Sequence, residues 1–375
     1  MAVLNRLVVS GFRNIGHADL TLYPGVNLFY GVNGSGKTSV LEAVHMLASG
    51  RSFRSRQHQP VIQAGQERLT VFGQIQGGVS IGVERTRHEG GRIRINRESA
   101  QSSSQLASLL PLQLVNSDSF AALEGGPGVR RRLLDWTVFH VEHRYLNSLK
   151  EYQIALRQRN ALLRRGKIDH GQLGIWESRL VSAALAIDQL RQKVFEELAA
   201  ATRLLLQDLP PSPLQDIAIR YRRGWRQDAD LAASLLASRD SDLALGHTRV
   251  GPHRADMVFT VEAQPAQSIL SRGQQKMLVC ALRTAMAQVV SGSRNAPVFL
   301  VDDLPAELDE RHQALFAGWI SRCAAQVLVT GIERGTTRRP WESLISPWNQ
   351  PSVFHVEHGR ISAEADPAPN NEWSE

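Results

Sequence analysis

The chain has 375 residues, 42% hydrophobic and 21% charged, with a formal net charge of +7 at pH 7. That length leaves room for two or three domains around sizeable cores, and a pI near 9.8 points to a polyanionic partner, nucleic acid or an anionic membrane surface. Two cysteines, Cys280 and Cys323, exclude a disulfide framework; with no run near the ~18–20 apolar residues of a membrane span and no signal-peptide layout, a cytoplasmic protein is expected.

Alternating apolar residues over 4–9 and 18–22, then an apolar run at 27–30, predict three strands. Gly11-Phe12-Arg13-Asn14 interrupts the pattern between the first two. The third strand enters Gly31-Val32-Asn33-Gly34-Ser35-Gly36-Lys37-Thr38, and Ser39 opens a segment with Val40, Leu41, Val44 and Leu47 at helical spacing. This is G-x-x-x-x-G-K-[ST] set between a strand and a helix. Its glycines let successive N–H groups turn toward one point against the positive helix N-terminus, a cradle for a polyphosphate. Lys37 can reach the β- and γ-phosphates, and the Thr38 hydroxyl can ligate Mg²⁺. A nucleoside triphosphate is the expected ligand.

A basic turn follows, with Arg51, Arg54 and Arg56 around Phe53. Strands are predicted at 69–76, 79–85 and 92–96, a serine-rich loop at 99–105 and a short strand at 112–115. The texture changes near 116. Residues 130–206 read as helical, with strong periodicity over 145–163 and 175–209, and Pro210, Pro211 and Pro213 end the run. A strand at 217–221 and a helix at 228–239 come next. From 248 the alternation returns, with strands at 257–261, 297–301 and 326–330 and helices at 273–290 and 310–323. The polar tail 363–375 is expected to be disordered. The reading is therefore α/β. Residues 1–115 and 248–362 form one ATPase head, and 116–247 a helical insertion projecting as an arm.

Two further constellations carry chemistry. Val298-Phe299-Leu300-Val301 is an apolar strand delivering Asp302 and Asp303 at its C-terminal end. In phosphate-loop proteins such an acid holds Mg²⁺, the role expected of Asp302. Asp303 is placed to orient or deprotonate an attacking water. Ser271-Arg272-Gly273-Gln274 stands directly before a predicted helix, with Ser271 a good N-cap and Gly273 open to close approach by a ligand.

The order of phosphate loop, long insertion, Ser-x-Gly-Gln, acidic strand end and then Glu307-Leu308-Asp309 resembles the ABC-type ATPases of the SMC and Rad50 type. Within that class the chain is similar to the RecF family of bacterial recombination and repair proteins. The shared motifs include Gly11–Asn14, Gly31–Thr38 with Leu41-Glu42-Ala43, Gly50–Arg54, Gly126-Pro127 with Arg130–Arg132, Gly251–Arg254, Ser271–Lys276 and Asp302-Asp303. The resemblance implies a head bearing an inserted helical arm. ATP and Mg²⁺ would be held by Arg13, Asn14 and residues 31–39. Ser271–Gln274 of a second copy would complete the site in trans, with Glu307, Leu308 and Asp309 at the seam. It also implies an ATP-dependent homodimer that binds DNA, hydrolyses ATP slowly and acts with RecO and RecR in RecA loading and the SOS response. Thr330 stands where transporters of the wider class carry a switch histidine, and Asp303 where that class has glutamate; both point to slow hydrolysis. Gln113 and Asn116 are the candidates for the Gln-loop residue. A transporter ATPase subunit and a scaffold using ATP only structurally are the rivals.

Arginines at 51, 54, 56 and 130–132, with others in the arm and at 220, 222 and 223, add a backbone-contacting signal for DNA. The hexapeptide Val-Phe-His-Val-Glu-His occurs twice, at 138–143 and 353–358. Its copies are expected on different backbones, one entering a helix and one in a strand, which argues against a shared metal site.

Overall fold

A computed structural model describes residues 3–88, 90–120, 123–165, 170–293, 296–344 and 351–364. Contacts divide the chain into two compact units, Met1–Phe120 with Arg294–Glu375, and Ala121–Ser293.

The first unit holds two six-stranded sheets. One is antiparallel, in the order Ile15–Thr21, Leu4–Phe12, Arg68–Ile75, Ser80–Thr86, Gly91–Ile95, Glu98–Ser99. The other runs Arg360–Glu364, Ser352–Glu357, Val26–Tyr30, Gln326–Gly331, Val298–Val301, Leu112–Val115. All its neighbours pair in parallel except the hairpin at the Arg360–Glu364 edge. Val298–Val301 and Gln326–Gly331 are buried along their whole length, as a parallel strand covered on both faces must be, hence their unbroken apolar runs. Because these strands run the same way, their C-terminal ends meet at one edge. That edge receives the phosphate loop and both acids.

Helix Lys37–Ser49 packs against strands of both sheets, so apolar residues ring it and its charged Glu42 is fully buried. Gly73 permits this approach: a Cβ there would lie 2.5 Å from Leu47 Cδ1 and 2.8 Å from Leu4 Cδ1. The serine-rich stretch is not all loop. Ser103–Leu109 forms a helix that buries Leu106, and the hydrophobic anchor outweighs the weak helix preference of its serines.

In the second unit, helices Pro127–Val141, Tyr145–Arg164, His170–Leu206 and Arg272–Ser293 accompany a small sheet of Gln264–Pro265, Asp256–Val261 and Ala218–Arg222. Asp256–Val261 pairs with Ala218–Arg222, and Arg272–Ser293 packs on His170–Leu206. The division thus differs from the boundary expected at 248, since residues 248–293 make their contacts within the helical unit. The helix expected at 228–239 is two, Leu231–Ala237 capped by the Asp230 side chain, and Arg239–Leu245 ended by Gly246 at φ 68°. Of the tail, Ala363 and Glu364 finish a strand; 365–375 lie outside the described residues. No helix among the described residues is long and apolar enough to cross a membrane.

Arginines hold this second unit together. Arg159, fully buried, donates to Asp242 Oδ2 and Thr248 Oγ1 at 2.8 Å each and to Glu177 Oε1 at 3.0–3.1 Å. Asp242 is itself fully buried. Arg159→Ala therefore strands a carboxylate in the interior, and breaking a buried pair from one side costs about 3–5 kcal/mol. The thermal midpoint should fall by several degrees or more, read by circular dichroism; a shift within error would mean that water replaces the guanidinium.

Candidate functional site

The turn from Val26–Tyr30 into Lys37–Ser49 has Gly31, Gly34 and Gly36 at φ 155°, 78° and 120°. Those are values an L side chain rarely adopts, and a Cβ at Gly31 would also collide with the Val356 carbonyl. Asn14 braces the turn from outside. Its amide donates to the Gly34 and Ser35 carbonyls at 3.2 and 2.9 Å, and its oxygen accepts from the Ser39 hydroxyl at 3.1 Å. The Lys37 ammonium folds back to donate to the carbonyls of Gly31 (2.6 Å) and Val32 (2.9 Å). Burial pulls its pKa down, opposed by the charges of Asp303 and Asp302. A desolvated cation held by two carbonyls is poised for a stronger anion.

Thr38 Oγ1 donates to Asp302 Oδ1 and Oδ2 at 2.9 and 3.1 Å, closing the link between the loop and the acidic strand end. Thr330 completes it: its hydroxyl donates to Asp302 Oδ1 at 2.6 Å and accepts from the Asp303 N–H at 3.0 Å. Asp303 sits in the left-handed region at φ 50°, ψ 50°, a conformation that costs a non-glycine residue energy and that clusters at functional sites. Burial, then the neighbouring Asp302, raises its pKa, while Lys37 opposes the shift.

These groups line a cleft of about 630 Å³. Pro60, Ile62, Ala64 and Arg87 also line it; no local pattern singles them out, because the first three lie in the connection before strand Arg68–Ile75 and Arg87 just past strand Ser80–Thr86, and only the fold brings both to the loop. Thr330 was legible only as a missing histidine. Arg13 lines the cleft too, but its guanidinium is taken up by Glu42 Oε2 and Oε1 at 3.0 and 2.7 Å and by the Pro60 carbonyl at 2.8 Å. The Ser52 hydroxyl donates to the same carboxylate, and Arg54 lies 3.8 Å from it at the cleft wall. Arg51 and Arg56 are exposed.

Gln113 is buried within Leu112–Val115, whereas Asn116 leaves the end of that strand and accepts from the Ser119 N–H and hydroxyl. The Ser117 hydroxyl donates to Glu307 at 2.5 Å, Leu308 is buried, and Asp309 caps Glu310–Ser321 through the His312 N–H. In the second unit Ser271 and Gln274 form a reciprocal capping box. The Ser271 hydroxyl accepts from the Gln274 N–H at 3.3 Å, and Gln274 Oε1 accepts from the Ser271 N–H at 2.9 Å. Arg272 and Gly273 form the first helical turn, with open space where a Gly273 Cβ would stand. Among 130–132, Arg130 pairs bidentately with Asp256 and Arg131 donates to the Ala255 carbonyl. Only Arg132 is exposed. The two His-rich copies do lie on different backbones, but the first ends helix Pro127–Val141 instead of entering one, while the second lies in strand Ser352–Glu357.

A family model described as the RecF/RecN/SMC N terminal domain matches residues 3–347. The chain is 43% identical to the DNA replication and repair protein RecF of Pseudomonas syringae pv. syringae (strain B728a), over 97% of this chain and 99% of that one. It is 44% identical to that of Pseudomonas entomophila (strain L48) over the same shares. A solved structure of the recombination mediator protein RecF with ATP in the RecFOR pathway superposes with a TM-score of 0.82 at 22% identity, covering 97% and 98% of the two chains. The Smc head domain from Pyrococcus furiosus, bound to the C-terminal domain of ScpA, gives 0.58 at 15% identity over 97% and 96%.

Proposed function

The chain belongs to the RecF family of DNA replication and repair proteins, with an ABC-type ATPase head fold, and from that premise we propose that it is an ATP-dependent DNA-binding protein of recombinational repair and replication restart. The observation that carries this is the unbroken chain of hydrogen bonds from Thr38 through Asp302 and Thr330 to the Asp303 N–H. It supports a reading in which the phosphate loop, Thr38 and Asp302 as metal ligands and Asp303 as base share one frame. The triphosphate lies along residues 31–39, and Lys37 exchanges the Gly31 and Val32 carbonyls for the β- and γ-phosphates. The Thr38 hydroxyl and the Asp302 carboxylate are hard oxygen donors that already converge, a fit for Mg²⁺. Held by those two residues, Mg²⁺ would supply charge neutralisation to the triphosphate. Thr330 keeps Asp302 facing the loop, and Asp303 accepts a proton from the attacking water.

Completion of the site comes from a second copy, whose Ser271–Gln274 turn caps the γ-phosphate while Glu307, Leu308 and Asp309 lie at the seam. The resulting homodimer holds single- and double-stranded DNA in the cytoplasm. Slow hydrolysis releases it, and with RecO and RecR it promotes RecA loading and SOS induction. Ser271→Arg puts a bulky cation where the turn must approach a nucleotide yet leaves the phosphate loop intact. Sedimentation with ATP should show the wild type shifting from monomer to dimer, and further with DNA. The variant should bind ATP within about twofold of wild type and remain monomeric. A monomeric wild type saturated with ATP and DNA would overturn the reading.

A further inference from the structure

The second unit carries a groove of about 1040 Å³ along the strand Ala218–Arg222 and the turn after it. Arg220, Arg222, Arg223, Arg226 and Arg254 line it, against two carboxylates, Glu196 and Asp256. Asp256 is already paired with Arg130. Elsewhere in this unit buried arginines are bound to acids or carbonyls, as Arg159 and Arg191 are. Here Arg220, Arg222 and Arg254 are exposed and engaged in no ion pair or side-chain hydrogen bond among the described residues.

A second observation is independent of charge. Trp225 lines the same groove at 8% exposure, with the Arg223 guanidinium 4.3 Å over its ring, and its indole N–H has no acceptor in the protein. That nitrogen is itself sealed from solvent, so the ring acts as an apolar wall of the groove beneath the Arg223 guanidinium. Strand-edge protection accounts for charges on Ala218–Arg222, the outer strand of its sheet, but not for Arg254 on another segment or for the indole.

Unpaired guanidiniums lining one groove call for oxyanions, and the length of the groove calls for several. Alternate side chains on one strand stand about 6.6 Å apart on one face, so Arg220 and Arg222 present a repeat suited to successive phosphates of an extended strand. We propose that this groove binds the phosphodiester backbone of DNA, with Arg220, Arg222 and Arg254 contacting phosphates. The assignment rests on the DNA-binding function proposed above and gives it to residues other than those of the nucleotide cleft.

The test is the triple variant Arg220→Ala/Arg222→Ala/Arg254→Ala in the full chain, with fluorescence anisotropy on labelled single-stranded and duplex oligonucleotides across a salt series, with ATP present. Affinity should fall about tenfold or more. The log–log salt slope should become shallower by about 0.7 per lost contact on single strands and about 0.9 on duplex. ATP affinity and the circular dichroism spectrum should stay at wild-type values. Unchanged DNA affinity and slope, with the wild type binding well, would overturn the groove and leave the DNA function standing. A wild type that binds no DNA would overturn both. Intact DNA binding with lost binding of a labelled polyglutamate peptide would also overturn it, assigning the surface to an acidic protein segment.

Discussion

Lys37→Ala should abolish the difference between DNA binding with and without ATP, because nucleotide affinity itself collapses. In the free protein Lys37 donates to the Gly31 and Val32 carbonyls, and burial lowers its pKa. A triphosphate offers that cation more negative charge than two carbonyls do, and a hydrogen bond to a charged group contributes about 1.5–3 kcal/mol. Two such bonds lost amount to a drop in ATP affinity of about a hundredfold or more. The fold should survive. Both carbonyls belong to a loop whose neighbouring Val32 and Asn33 are exposed, so water can take over their hydrogen bonds, and the thermal midpoint should move little. Isothermal titration with ATP and anisotropy with labelled DNA read the two effects. Wild-type ATP affinity in the variant would remove Lys37 from the phosphates. Lost ATP affinity with DNA binding still stimulated by ATP would detach DNA binding from the cleft.

The chain's order of elements was legible because its strongest signals are local. A glycine loop needing positive φ, an apolar strand ending in Asp302 and a Ser-x-x-Gln cap each leave a mark within a few residues. What the sequence concealed depends on partners far along the chain. Glu42 lies in the amphipathic helix after the loop, and nothing local marks it as buried. It is buried because the helix lies against strands of both sheets, and Arg13 and Ser52 reach it only in the folded unit. For the same reason nothing local shows that Arg13, a nucleotide ligand by resemblance, is held by Glu42 where it lines the cleft. Arg130 and Arg131 read as DNA contacts but are occupied by Asp256 and the Ala255 carbonyl. Charge runs count guanidiniums; only the fold shows which of them are already paired. The break at 248 was drawn where alternation resumes. Pairing of Asp256–Val261 with Ala218–Arg222 carries that alternation into the helical unit, a link across 34 or more residues that no local window contains.

Asp303→Asn should separate hydrolysis from binding, and it should do so while stabilising the fold. Asparagine is among the few residues that tolerate the left-handed conformation Asp303 adopts at φ 50°, so the backbone at the strand end is kept, as is the N–H donated to Thr330. What disappears is a carboxylate able to accept a proton from water, and loss of a positioned general base slows turnover by about 10²–10⁴-fold. Steady-state phosphate release should fall by that factor while ATP affinity holds, and the ATP-bound dimer should persist on DNA instead of dissociating. The stability sign follows from the pKa. Burial and Asp302 raise that of Asp303 in the folded state, so folding favours the protonated form more than the unfolded chain does. The resulting stability is present at low pH and is lost as pH rises through the folded-state value. At neutral pH the ionised carboxylate therefore strains the fold, and the uncharged amide relieves it. The melting temperature of Asp303→Asn should accordingly lie above that of the wild type at pH 7, with the gap closing as pH falls through the carboxylate range. Loss of turnover through damage would instead lower the melting temperature. Loss together with a gain in stability identifies a charge kept at this site for chemistry and against the preference of the fold. Phosphate release at the wild-type rate would show that the water is activated by another group.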